Sequence, residues 1–475
     1  MAIRRSLLTM IMPNTPAKSF WLLFALAALS FLPALNFYYV GEEAIFPITS
    51  LEMWQHGTWL KQYLYGMDVQ HNPLFNWLIM PLSALAGWEH VLIVTRALTI
   101  CATLITGLLL AWLALHLFRD KTFAAFAAVA YLTMADMLLY HGWLSYVDPL
   151  FAMFIFAAIA ALWIGALERR IGLLLAAGAL LTCAFLSKAL TAYVFYGTAL
   201  FVLLFDARQR AFLLHWPALL IHAGTFAAPL AWFALIPGGH TQGGRMFAEI
   251  LYKLAFTQVG AYLARLVMYP VEILIWLSPI TLLALYFRLR KRNRKDEVEG
   301  QRLFKAACWI TLLNFLPYWL SPQGGMRYLL PIYPLLALVA ARIVWQSGES
   351  AIAMARKWMI VALVLKFIVA LAVFPYYQER YRGKNYDDAA ADILMQASGY
   401  PLYSADVSAS GLSVTAYLDQ RRYPATALQW PPAQWQSGYV LARGADAALG
   451  EVHKKYQLGG DELYLLCRGE ACRNH

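Results

Sequence analysis

Apolar stretches of about 18 residues or more recur along this chain, each long enough to cross roughly 30 Å of hydrocarbon as a helix. The segments lack period-two alternation, so helices rather than a barrel follow, because lipid offers no partner to an open backbone. Composition agrees: 61% of the 475 residues are hydrophobic and 14% charged, against about 25% charged in an average soluble domain. The fold class expected is a polytopic all-α membrane protein.

Eleven spans are predicted, near 20–40, 91–117, 122–140, 147–167, 171–187, 190–205, 211–236, 266–287, 303–320, 328–345 and 358–375. The first, preceded by Arg4, Arg5 and Lys18 and followed by no small-residue cleavage site, reads as an uncleaved signal anchor. With the N-terminus inside, every even-numbered span ends inside, and there the basic clusters fall: Arg119 and Lys121, Arg169 and Arg170, Arg208 and Arg210, Arg288 to Lys295, Arg356 and Lys357. The net charge of +11 is thereby read as a topology signal rather than a nucleic-acid patch. The segment Pro73 to Trp88 would upset this alternation as a span; it is short and is expected to lie at the outer interface.

Three regions then face outward: a first loop (41–90), a second loop (237–265) and a tail from Tyr376, with residues 1–375 forming a membrane domain and 376–475 a separate small α/β domain. In the tail a helix is predicted over Tyr386–Ala397 and strands over Tyr403–Val407, Gly438–Ala442 and Glu462–Cys467. Cys467 and Cys472, the only cysteines outside the spans, suit a disulfide in an oxidising compartment, with free thiols or a metal clip as alternatives. The inner loops are short and basic and carry no glycine-rich phosphate loop.

Charged groups near spans are costly unless paired or functional. Those expected at the outer face are Glu42 and Glu43, Arg96, Asp148, Lys188, Arg245, Lys253, Arg265 and Arg327. Each has a plain structural alternative. Glu42 and Glu43 could be solvated interfacial acids, Asp148 ahead of Pro149 an N-cap, Lys188 a snorkelling cation, and Arg327 part of interfacial packing. Arg96 could simply pair with Glu89 or Asp148. His116, His215 and His222 read as structural; His56 and His71, in the first loop, leave a divalent metal there as an alternative to no cofactor at all.

Taken in order, these positions resemble the GT-C superfamily, in the bacterial branch of lipid A aminoarabinose transferases and protein O-mannosyltransferases. The motifs are Gly41-Glu42-Glu43-Ala44 after the first span, His71-Asn72-Pro73-Leu74 opening a proline-started helix, Tyr146-Val147-Asp148-Pro149, Leu186-Ser187-Lys188-Ala189, and Arg327-Tyr328-Leu329-Leu330-Pro331. Two positions depart from the aminoarabinose pattern: Ile45 where an Arg is usual nearby, and Asn72 where a Lys precedes the proline. The resemblance implies an inverting glycosyltransferase taking sugar from a polyprenyl (undecaprenyl) phosphate. Its acceptor would be lipid A, another surface glycan or protein, at the periplasmic face of a bacterial inner membrane. Glu42 would be the base, Glu43 its alternate and Asp148 an orienting acid, while Lys188, Arg245, Arg265, Arg327 and Tyr328 would hold the donor phosphate. The rival is a lipid-linked-sugar flippase or transporter, but transporters place polar groups near mid-membrane within internal repeats. Here the charges gather at one face and no repeat is visible.

Overall fold

The computed structural model describes residues 16–69, 71–252, 259–290 and 298–473. The expectations attached to Arg4 and Arg5, to Lys253 and to the basic run from 291 to 295 lie outside the described residues.

The chain opens with α1 (Pro16–Leu29), prolonged by a 3-10 turn (Leu32–Asn36). A turn at Gly41, whose φ of +60° favours glycine, leads into the first outer loop. That loop holds α2 (Ile45–Gln55), a hairpin β1 (Gln62–Leu64) and β2 (Met67–Val69), and α3 (Leu74–Ala86). At 13 residues α3 is about 20 Å long. It packs Phe75, Ile79 and Met80 into a cluster with Leu51 and Trp88.

The membrane helices are α4 (Val91–Phe118), α5 (Lys121–Leu132), α6 (Asp148–Glu168), α7 (Ile171–Ser187), α8 (Thr191–Leu203) and, after a short α9 (Ala207–Leu213), α10 (Trp216–Leu235). They continue with α11 (Gly239–Tyr252), α12 (Val259–Trp276), α13 (Ile280–Leu289), α14 (Val298–Leu320), α15 (Tyr333–Gln346), α16 (Glu349–Ile368) and α17 (Phe374–Arg380). Every predicted span falls on helix. Among the described residues eight helical stretches are by themselves long and apolar enough to cross, and α5, α7 and α8 are shorter apolar helices.

Two spans are less regular than their hydropathy suggests. The third stops at Leu132 and resumes as a π-turn at Met137–His141, because buried Asp136 sits at the break, accepting from Tyr333 Oη at 2.9 Å with His141 Nδ1 2.8 Å away. The eighth begins at Val259, inside the expected second loop, and divides at Ser278-Pro279. Proline cannot donate to the helical ladder, and the Ser278 carbonyl instead accepts from Ala135 N at 2.9 Å. The expected second loop carries α11.

In the tail, α18 (Lys384–Gln396) and α19 (Ala409–Arg422) cover a sheet of β3 (Leu402–Ser404), β4 (Gly438–Ala442), β5 (Glu451–Leu458) and β6 (Asp461–Arg468), in the order β3-β4-β6-β5. β3 and β4 are parallel, the other pairs antiparallel. The expected boundary at 375/376 falls inside continuous helix, since a π-turn (Val369–Val373) joins α16 to α17; the chain leaves that helix at Tyr381. Cys467 and Cys472 form a disulfide, which removes the thiol and metal-clip alternatives.

The tail rests on the first loop. Tyr65 donates through its hydroxyl to Asp406 O at 2.8 Å and accepts at its carbonyl from Trp430 N at 2.8 Å. Gln55 is gripped on both sides, donating to Ala425 O at 3.0 Å and accepting from Ala427 N at 2.9 Å.

Candidate active site

Asp148 occupies the first position of α6 with Pro149 behind it, where proline's missing donor costs nothing. Its carboxylate is 7% exposed and receives a hydrogen bond from Lys188 Nζ, on the turn that closes α7. Lys188 lies 5.2 Å from the centre of the Tyr328 ring, and Arg327 lies 5.3 Å from the same ring. Arg327 Nη1 in turn stands 3.6 Å from Glu42 Oε2. The acids and cations of four motifs far apart in sequence thus form one chain: Glu42, Arg327, Tyr328, Lys188, Asp148.

All of this chain but Glu42 lines a cavity of about 240 Å³, and Glu42 reaches it through Arg327. α11 contributes Arg245 and Met246 to its wall, and α14 closes one side with Pro317 and Tyr318. The wall is apolar apart from these charges, a setting in which charge interactions are stronger than in water.

Two expected residues lie elsewhere. Glu43 is fully buried and forms a two-pronged pair with Arg96, Oε1 accepting from Nε at 2.9 Å and Oε2 from Nη2 at 2.5 Å. Val40 N and Ser145 N donate to the same carboxylate at 2.8 and 2.7 Å, and Arg96 also donates to the carbonyls of Ala34, Phe37 and Tyr38. So Glu43 is no alternate base: its lone pairs are spent on holding the turn that presents Glu42. The same network corrects the expected pairing of Arg96 with Glu89 or Asp148. Arg265, expected to hold phosphate, does not line the cavity. Its Nη1 donates to Gly324 O at 2.6 Å and its guanidinium stacks on Tyr269 at 4.6 Å, so it braces the Gly324 turn that does.

Sequence reasoning missed the way α11 is held. Gln242 Nε2 donates to Asn72 Oδ1 at 3.0 Å, and Asn72 Nδ2 donates to Phe185 O at 2.5 Å, one turn before Lys188. Gln62 Nε2 reaches the Asn72 carbonyl and Asn76 Oδ1, both at 2.9 Å. Asn72, noted only as a departure from a pattern, joins the first loop, the second loop and the end of α7. Tyr146 was also passed over: its hydroxyl accepts from Glu42 N at 3.4 Å, and a Cβ on Gly41 would stand 2.8 Å from it. His71 lines the cavity, while His56 faces its own helix through Glu52 O at 2.7 Å. Among the described residues no three His, Cys, Asp or Glu side chains gather as a metal site would require.

A profile of the dolichyl-phosphate-mannose-protein mannosyltransferase family matches residues 70–232, and one of the Alg9-like mannosyltransferase family matches 266–385. Relatives named undecaprenyl phosphate-alpha-4-amino-4-deoxy-L-arabinose arabinosyl transferase are 27% identical over 336 residues in Pectobacterium atrosepticum and 28% over 340 in Pectobacterium carotovorum. Each of these alignments covers 68% of this chain. The same name attaches to a 29% match over 126 residues, 26% of this chain, in Enterobacter sp.. The chain spans 22% of the Enterobacter relative's length and 58% of the other two. The crystal structure of ArnT from Cupriavidus metallidurans in the apo state superposes with TM-score 0.66 at 16% identity, covering 96% of this chain and 99% of that one. Its form bound to undecaprenyl phosphate gives TM-score 0.66 at 15% identity, covering 94% and 97%.

The fold is that of GT-C membrane proteins. In its family matches, its relatives and its fold the chain is similar to the aminoarabinose transferase branch of that superfamily.

Proposed function

We propose that this chain transfers a sugar from a polyprenyl phosphate to an acceptor lipid of the lipid A kind, with inversion. The single observation that carries the reading is the contiguous set Glu42, Arg327, Lys188 and Asp148, the last three lining one apolar cavity. An acceptor hydroxyl attacks the anomeric carbon as the bond from that carbon to the phosphate oxygen breaks, and the electron pair stays on the departing phosphate. Lys188, Arg327 and Arg245 are the cations placed to meet that growing charge. Tyr328, between two of them, fixes their spacing by its ring. Glu42, half-exposed at the rim, accepts the acceptor's proton. Asp148 holds Lys188 against the cavity wall and is spent as a base by that contact.

The membrane arrangement belongs to the same reading. Eleven spans, with α5, α7 and α8 completing the eight long ones, set the cavity and the tail at the periplasmic face of a bacterial inner membrane. The reading includes no resident metal.

The test is turnover beside donor affinity for purified protein supplied with undecaprenyl-phosphate sugar and a panel of lipid, glycan and peptide acceptors. Lys188→Ala should lower turnover at least about tenfold, the loss of a charge-assisted contact worth roughly 1.5–3 kcal/mol. Glu42→Gln should lower it by about 10² to 10⁴ with donor affinity kept. Near-normal turnover in Glu42→Gln would show that the acceptor brings its own negative charge. Chelation with EDTA should change nothing, and a loss restored by a divalent cation would overturn the metal-free mechanism.

A further inference from the structure

Arg327 and Tyr328 reach the cavity from a 3-10 turn (Met326–Ile332) that ends where α15 begins, at Tyr333. Such a turn holds itself poorly. Its hydrogen bonds are less well aligned than those of an α-helix, and Pro331 within it and Pro334 just after it supply no backbone donor. Its place in the bundle therefore depends on what grips its two ends.

At the near end α12 does so: Arg265 Nη1 donates to Gly324 O at 2.6 Å and Tyr269 Oη to Gly325 O at 3.5 Å. At the far end the polar grip is Tyr333, fully buried, whose hydroxyl donates to Asp136 Oδ2 at 2.9 Å. Asp136 is itself 3% exposed and fixed in turn, with His141 Nδ1 2.8 Å from the same oxygen and the neighbouring Ala135 N donating to Ser278 O at 2.9 Å. A carboxylate inside a membrane span is costly and marks a task by default. Asp136 does not line the cavity; it meets the residue that closes the turn carrying Arg327 and Tyr328.

We infer that Asp136 is a positioning residue for the transfer: through Tyr333 it sets where Arg327 stands against the donor phosphate. The inference rests on the transferase reading of the cavity. Tyr328 and Tyr333 are about 10 Å apart along the turn, so a tilt at the Tyr333 end swings Arg327 at the other. A misplacement of about 1 Å is enough to forfeit much of an oriented contact. His141 holds the carboxylate in place for Tyr333, which gives the Asp136–His141 pair a purpose that the chemistry at the cavity does not itself supply.

Binding of undecaprenyl phosphate to purified full-length protein in nanodiscs, which needs neither sugar nor acceptor, tests it. Tyr333→Phe, which removes the hydroxyl and keeps the ring, should weaken binding about fivefold, the loss of one buried hydrogen bond, and Asp136→Leu likewise. Asp136→Asn keeps an acceptor oxygen for Tyr333 and should bind within about twofold of wild type. The decisive arm is the cycle with Arg327→Ala: in that background Tyr333→Phe should change affinity by less than about twofold, because the group it positions is gone. In Gln242→Ala, whose effect travels through α11, the fivefold loss should persist. A merely structural anchor would cost the same in both backgrounds, and that result overturns the inference, as does wild-type affinity in Tyr333→Phe. If either single variant does not fold, Tyr333→Phe combined with Asp136→Leu, in which both partners of the hydrogen bond become apolar, goes through the same cycle. A wild-type protein that does not bind undecaprenyl phosphate sinks the transferase reading and this inference together; every other outcome bears on the anchor alone.

Discussion

Glu42 and Glu43 are chemically alike and adjacent, yet one faces the cavity rim and the other is wholly enclosed, so the same substitution should act through different free energies. Glu43 and Arg96 are both fully buried with their hydrogen-bonding groups met, and removing either leaves the other an uncompensated charge, at a cost of about 3–5 kcal/mol. Arg96→Ala and Glu43→Gln are therefore expected to lower thermal stability and yield of folded protein, whereas Glu42→Gln should leave the melting temperature within a degree or two of wild type; unfolding scans of the three beside wild type check this. The acidic pair could be read from sequence because a charged doublet at the end of an apolar run is conspicuous. Its division of labour could not, because Arg96 lies more than fifty residues away and nothing local says which carboxylate it meets. Asp136 escaped notice for the opposite reason: one carboxylate inside an apolar stretch leaves the hydropathy high, and its partners His141 and Tyr333 come from separate segments.

Among the elements, α11 is amphipathic and held across the second loop by Gln242 on Asn72, with Arg245 one turn further along at the cavity. Gln242→Ala should release that hold and raise the KM for the donor lipid several-fold, the loss of roughly one buried hydrogen bond, while kcat and melting temperature stay close to wild type. An effect on kcat alone would instead place Gln242 in the chemistry. In the tail, α19 carries Asp419, which is wholly buried against the first loop. Its Oδ1 accepts from Leu428 N at 2.8 Å, while Oδ2 has no partner. Burial pushes its pKa up from 3.8 to about 7, with Leu428 N and Arg422 opposing and Glu52 adding to the rise. The folded state then holds this proton more tightly than the unfolded one, so stability from this group is full below about pH 4 and is lost as pH rises through 7. Thermal unfolding followed through the tail should show Asp419→Asn gaining on wild type as pH goes from 5 to 8, with no gain at pH 4. Helix positions were legible throughout because an apolar run of span length has few other solutions in lipid. The tail was read less well. β4 was found to the residue, but β5 reads Glu-Val-His-Lys-Lys-Tyr-Gln-Leu with most side chains exposed, so no alternation marked it, and α19 lacks a strong apolar face.

On the scale of the whole molecule, the charged cavity, the first loop and the tail share one end of the helical bundle. Single cysteines should report this directly. Ser398→Cys in the tail is expected to react with an impermeant maleimide in intact spheroplasts, and Glu349→Cys at the start of α16 only after permeabilisation; the reverse pattern would invert the whole arrangement. The clasp of the tail on the first loop also has a consequence for how the protein is made. Residues 41–90 leave the ribosome long before Asp406, Ala425 and Trp430, which later grip Tyr65 and Gln55. In the proposed arrangement, until residues 406–430 have been delivered across the bilayer, the turn bearing Glu42 waits without its roof. Export of the tail would then come before competence, and a chain interrupted earlier would sit in the membrane without a finished centre.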